Sequence, residues 1–173
     1  MLNKKIKIAV SSCLLGEAVR YDGTDKHIEY ITQQLAKEYN LISLCPEMAV
    51  GMGVPRLPIH LLDDGYSVQA CGIEHPENNQ TKPLTDYGRS ILDLHPDICG
   101  YIFKKNSPSC GTDKVKVFNI KSGEYEQRGQ GIYAATIMKA LPLLPVIDEE
   151  DFLNKRMQVE FLSKVLKYAE VYL

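Results

Sequence analysis

The chain has 173 residues, 45% of them hydrophobic and 24% charged, with a formal net charge of −2 at pH 7. That size suits one soluble domain over 1–173 with a sizeable core, and without a basic block it offers no electrostatic case for nucleic acid as a partner. The longest apolar runs, such as Ala140–Ile147 with its two prolines, fall far short of the ~20 residues a membrane span needs.

Lys4, Lys5 and Lys7 are followed only by Ile8, Ala9 and Val10 before Ser11 and Ser12. That pattern predicts a first buried strand over Ile6–Ser11, not a signal peptide, so the expected compartment is cytoplasmic. Turn signals follow at Gly16, Asp22, Gly23 and Thr24, and then Asp25–Tyr39 reads as a helix. Its Ile28, Ile31 and Leu35 recur at spacings of three and four, with Lys26, Glu29, Gln33, Gln34 and Lys37 outside. Leu41–Leu44 is a second short strand, cut off by Cys45 and Pro46.

Two extended stretches between Leu57 and Cys71 flank Asp63-Asp64-Gly65, which predicts a hairpin. Pro83–His95 carries a helical stripe of Leu84, Tyr87, Ile91 and Leu94, closed by Pro96. Ile98–Phe103 is a third strand, and Lys114–Glu126 a second hairpin turning at Lys121-Ser122-Gly123. A helix over Gly131–Leu141, a fourth strand over Leu143–Ile147 and an amphipathic helix over Glu149–Tyr168 complete the chain. In that last helix Phe152, Met157, Phe161, Val165 and Tyr168 face inward. Strands alternating with helices imply a Rossmann-like, three-layer α/β domain with a mostly parallel sheet, on which the two hairpin insertions are decoration.

The chain has five cysteines, an odd count that argues against a disulfide framework in a reducing compartment. Cys13 follows the first strand, Cys45 the second, and Cys110 lies in the loop after the third. Ligands of open parallel sheets bind outside the carboxyl ends of the strands, so these three can converge. Cys71 and Cys99 lie elsewhere on the plan and read as packing residues. Lys104, Lys105 and Arg56 are available to offset the charge of thiolates, and the loop Ser107-Pro108-Ser109-Cys110-Gly111 is stiffened by proline and freed by glycine. Three thiolates would leave one iron of a 4Fe–4S cluster without a cysteine, and an open position marks a site that binds substrate rather than an electron carrier. Zinc held by three thiolates and a water is the competing metal.

The segments Ser12-Cys13-Leu14-Leu15-Gly16 with Arg20-Tyr21-Asp22-Gly23, Cys45-Pro46-Glu47 with Gly53 and Pro55-Arg56, and Lys105-Asn106-Ser107-Pro108-Ser109-Cys110-Gly111 resemble the domain-of-unknown-function 523 family, which includes bacterial thiouracil desulfidase. The resemblance runs from about Ile8 to Asp148. It implies that Cys13, Cys45 and Cys110 hold a 4Fe–4S cluster whose unique iron binds the sulfur of a thiolated pyrimidine such as 2-thiouracil. The implied reaction is a non-redox desulfuration of C=S to C=O, with Glu47 and Ser107 as catalytic residues. The partner is then a small thiolated nucleobase, and the expected state a monomer or small homo-oligomer. Some relatives carry an additional C-terminal domain, and this chain resembles the stand-alone form. Asp22 and Arg56 carry loop or ion-pair roles in this reading, and His27, His60, His75 and His95 share no motif. The alternatives are a non-catalytic iron–sulfur module with a sensing role and a structural zinc-binding module.

Overall fold

The computed structural model describes residues 5–173; Lys4, part of the basic start, lies outside the described residues. The strands are β1 (Lys7–Ser11), β2 (Asn40–Leu44), β3 (Ile59–Asp63), β4 (Val68–Gly72), β5 (Ile98–Phe103), β6 (Val115–Asn119), β7 (Glu124–Gly129) and β8 (Val146–Asp148). The helices are α1 (Ala36–Glu38), α2 (Pro46–Ala49), α3 (Thr81–Leu94), α4 (Ile132–Ala140), α5 (Glu149–Leu153) and α6 (Lys155–Tyr172). Among the described residues no helix is long and apolar enough to cross a membrane.

The main sheet has the order β2-β1-β5-β8, and every pairing in it is parallel. Its two faces are both covered, which explains the near-continuous apolar strands. From one face Ala9, Tyr101 and Phe103 meet Leu84 and Ile91 of α3 and Tyr133, Ala134 and Ile137 of α4. From the other, Ile8, Val10 and Ile102 meet Phe152 of α5 and Phe161, Val165 and Ala169 of α6. This is the three-layer α/β arrangement. Gly100 in β5 permits the close approach of α6, since a Cβ there would stand 2.7 Å from a Val165 methyl.

Both hairpins form, and they also join each other. Parallel pairing of β3 with β6 makes a second four-stranded sheet, of order β4-β3-β6-β7. Its Leu61, Ala70, Val115 and Val117 belong to the same core as α3 and α4, so it contributes to the packing and is more than an appendage.

Three boundaries differ from the sequence expectation. Helical structure begins at Glu29, not Asp25, and runs through a π-helical turn over Ile31–Leu35 into α1. The residues before it are held elsewhere: Lys26 N–H donates to the Cys13 carbonyl at 2.8 Å and Ile28 N–H to the Leu14 carbonyl at 3.0 Å. The fourth strand is confined to β8, because Pro142 and Pro145 lack the N–H groups that a longer ladder needs. The final helix is broken at Asn154, whose backbone is extended (φ −76°, ψ 116°) and whose side chain accepts from the N–H groups of Arg156 and Met157. The break resets the helical phase, so Met157 is 37% exposed and Gln158 is buried in its place. Asn154→Ala removes this cap and is expected to cost about 1 kcal/mol, measured as a lowered urea midpoint at unchanged slope.

Candidate functional site

In the main sheet the chain leaves β1 for β2 on one side and returns to β5 on the other, so a crevice opens at the carboxyl ends of β1 and β5. A cavity of about 380 Å³ occupies it, and Cys13, Cys45, Cys110, Glu47 and Ser107 all line it. Cys13 sits in the tight turn Ser12–Leu15 directly after β1, closed by Gly16 at φ 90°. Cys45 directly follows β2 and precedes Pro46, the first residue of α2. Cys110 lies in the loop after β5. Cys13 and Cys110 are buried and Cys45 is partly buried. Cys71 and Cys99 are buried in strands away from the cavity, and among the described residues no histidine lines it.

The Cys110 loop is built by its own hydrogen bonds and by a helix end. The Ser107 hydroxyl oxygen accepts from the N–H of Ser109 at 3.1 Å and of Cys110 at 3.0 Å. Both of its lone pairs are thereby used, so the Ser107 hydroxyl has a hydrogen to give and no acceptor site left. The first N–H groups of α4 need partners outside the helix. Ile132 N–H and Ala134 N–H find them in the carbonyls of Pro108 (3.0 Å) and Ser109 (3.1 Å). The approach requires Gly131, where a Cβ would lie 2.5 Å from the Ser109 carbonyl carbon. Ser11, at the end of β1, accepts from Lys104 N–H at 3.0 Å and its hydroxyl bonds the Cys110 sulfur.

Glu47 is the hub between the loops. Its Oε2 accepts from Arg56 Nε at 2.8 Å and also from Arg56 Nη2, while its Oε1 accepts from the buried Ser109 hydroxyl at 2.7 Å. Arg56 itself donates to the carbonyls of Gly53 (2.7 Å) and Val19 (2.9 Å). One arginine, through two donors on a single oxygen, and one serine on the other thus aim the carboxylate and tie the Cys45 helix to the Cys110 loop. Ser109 lies in the Ser107-Pro108-Ser109-Cys110-Gly111 loop, but nothing in its sequence context distinguishes it from Ser107; its partner lies 62 positions away.

Lys104, Lys105 and Arg56, expected to offset thiolate charge, are themselves ion-paired, and Arg56 favours the Cys45 thiolate. Lys104 pairs with Glu149, Lys105 with Glu150 at 2.9 Å and Asp148 at 3.7 Å, and Arg56 with Glu47. Much of their charge is answered by carboxylates. Lys104 still favours the Cys13 thiolate to some degree.

All three cavity thiols are pushed up. Burial raises Cys13 to about 11 and also raises Cys45, while burial, with the neighbouring negative Glu47 and Cys45 second, drives Cys110 up strongly. A group whose folded pKa is raised holds its proton longer when folded, so the unfolded chain binds fewer protons above pH 9. Stability of the iron-free chain is therefore full below about pH 9 and falls as pH rises toward 11. The loss from Cys13 alone approaches about 3 kcal/mol, at 1.36 kcal/mol per unit. Urea unfolding of the iron-free protein at pH 8 and pH 10.5 measures it.

Holding the three as thiolates side by side would require a cationic group among them. The thiolates of a single zinc ion must stand about 3.8 Å apart, given a Zn–S bond of about 2.3 Å in a tetrahedron. Among the described residues no three His, Cys, Asp or Glu side chains are gathered tightly enough to hold one ion. Three soft sulfurs around one cavity are donors of the kind that an iron–sulfur group takes.

The 2-thiouracil desulfurase family profile matches residues 8–149. The uncharacterized protein YbbK of Bacillus subtilis (strain 168) is 29% identical over 146 residues, spanning 77% of this chain and 90% of that protein. Among solved structures, the [4Fe-4S]-dependent thiouracil desulfidase TudS superposes with a TM-score of 0.69 at 26% identity, covering 90% of this chain and 99% of that one.

Proposed function

The chain belongs to the 2-thiouracil desulfurase family, and from that premise we propose that it hydrolyses the C=S group of a thiolated pyrimidine such as 2-thiouracil to C=O without net redox change. The observation that supports this most is the meeting of three thiols, a carboxylate and a serine hydroxyl on one cavity at the carboxyl ends of β1, β2 and β5. In this reading residues 1–173 act as one domain, in the cytoplasm, as a monomer or small homo-oligomer. Cys13, Cys45 and Cys110 would hold a 4Fe–4S cluster. Bound there, it supplies a Lewis-acidic iron without a protein ligand, with affinity for the substrate's sulfur.

The protein's own groups then divide the remaining work. Glu47, fixed by Arg56 and Ser109, retains a lone pair on Oε1 with which to accept a proton from the attacking water. Ser107 can only donate, so its hydroxyl orients the substrate through the exocyclic oxygen rather than activating water. Val19, Leu57 and Pro58 on the wall exclude bulk water from the reacting carbon.

The test is anaerobic reconstitution with iron and sulfide, followed by incubation with 2-thiouracil in ¹⁸O-labelled water. Equimolar sulfide and uracil carrying one ¹⁸O are expected. A colourless protein that takes up zinc and no iron, or a brown one that releases no sulfide, overturns the reading.

A further inference from the structure

Hydrolysis of C=S has a proton balance that Glu47 alone does not close. The water oxygen forms both bonds of the new C=O, both C–S bonds break with their electron pairs going to sulfur, and both protons of the water leave the oxygen, one to depart with the sulfide as hydrosulfide and one to bulk water. No atom is oxidised or reduced. Glu47 can take one proton, and the other charged residues that line the cavity, Arg20, Lys26, Arg56, Lys104 and Lys105, are cations that accept none, so the second needs a route.

Ser12 offers one. It lies in the turn after β1, lines the cavity, and is 3% exposed. Its Oγ stands 2.7 Å from Ser43 Oγ on β2, the edge strand of the sheet. Ser43 in turn donates to Oε1 of Glu17. The direction of the chain follows from counting hydrogens. Ser43 has one hydroxyl hydrogen, and it is committed to the carboxylate, so Ser12 must be the donor in the Ser12–Ser43 pair. The unused lone pairs on Ser12 Oγ are then its accepting side. Glu17 is exposed, while its N–H donates to the Ser12 carbonyl at 3.3 Å, which keeps the carboxylate beside the turn.

We propose that Ser12, Ser43 and Glu17 form a proton outlet from the cavity to solvent, a step in the reaction proposed above and dependent on that reading. Ser12 Oγ accepts a proton from the attacking water as its own passes to Ser43, and the Ser43 proton passes to Glu17, which releases it to bulk water. The two hydroxyls then rotate back. The order of hydrogen bonds favours export over import, because each hydroxyl already points outward. A purely structural role, tying the 12–17 turn to the sheet edge, would need the hydrogen bonds but not a basic carboxylate.

Glu17→Gln separates the two, since the amide oxygen keeps the bond from Ser43 and only proton acceptance is lost. In dilute buffer kcat is expected to fall about tenfold, less than the about 10²–10⁴-fold of a group that takes the proton directly, with KM and iron per chain unchanged. A pH-indicator dye should show proton release to bulk lagging behind sulfide formation in the variant and keeping pace in the wild type. Imidazole at tens of millimolar should restore kcat in the variant and leave the wild type unaffected. Ser43→Ala should lose activity similarly, and Ser43→Thr should retain it. Wild-type kcat for Glu17→Gln in dilute buffer, a loss that imidazole does not restore, or a fall in iron content each overturns the outlet while leaving the desulfidase reading intact. A wild-type protein that holds iron but releases no sulfide overturns both.

Discussion

Cys110→Ala is expected to leave a folded chain that retains almost no iron after anaerobic reconstitution and releases no measurable sulfide from 2-thiouracil. The side chain removed is small, and the loop around it stays anchored by Ser107, Gly111 and the N-terminus of α4. What is lost is the most deeply buried of the three thiols, the one drawn to Ser11 and flanked by Glu47. Two remaining thiols leave an iron–sulfur group with a second open position and a lower affinity. Cys99→Ala is the control. That thiol is fully buried on the far face of β5, its Sγ 3.6 Å from the Asp97 carbonyl, so iron should be retained in full while stability drops by about 1 kcal/mol. Iron and acid-labile sulfide per chain, read beside circular dichroism, decide the matter. Equal iron in the two variants would remove Cys110 from the ligand set.

Glu47→Gln is expected to keep iron, fold and substrate affinity and to lower kcat by about 10²–10⁴-fold, the range of a positioned acid–base group. Glutamine keeps one oxygen, to accept from Arg56, and its amide N–H can donate to the Ser109 hydroxyl oxygen in place of the bond that Ser109 gave, so the hub keeps much of its geometry. Alanine is the poorer test. It leaves the Arg56 guanidinium, only 7% exposed, without any acceptor oxygen in place of the carboxylate, and an unpaired buried charge costs about 3–5 kcal/mol. A loss of activity in Glu47→Ala could then report a displaced loop, whereas the glutamine variant isolates the proton. If kcat stays within threefold of wild type while iron is unchanged, Glu47 orients the site and does not take the proton.

Much of the architecture was legible because apolar periodicity is a local property. Ile98–Phe103 appears as a strand with the expected bounds, and its six buried residues are what a central parallel strand requires. The hairpins were legible from their turn residues. Their union through β3 and β6 was not, since no local signal tells one strand which distant edge it will pair with. The break at Asn154 was missed because an asparagine within an otherwise continuous helical stripe acts as a cap only when its backbone turns extended.

For the site, sequence alone determined which residues stand at the carboxyl ends of the strands: Cys13, Cys45 and Cys110, with Glu47 and Ser107 beside them. Strand ends are set by local chemistry, and parallel topology directs them to one side. Tertiary structure alone decided what those residues can do. It joined Glu47 to Arg56 and Ser109, removed Lys104 and Lys105 from the pool of free cations, left Ser107 able only to donate, and laid Ser12, Ser43 and Glu17 in one line. The physical reason is that a hydrogen bond is settled at a few ångströms and by the direction of a single hydrogen, between partners that the chain holds far apart in sequence.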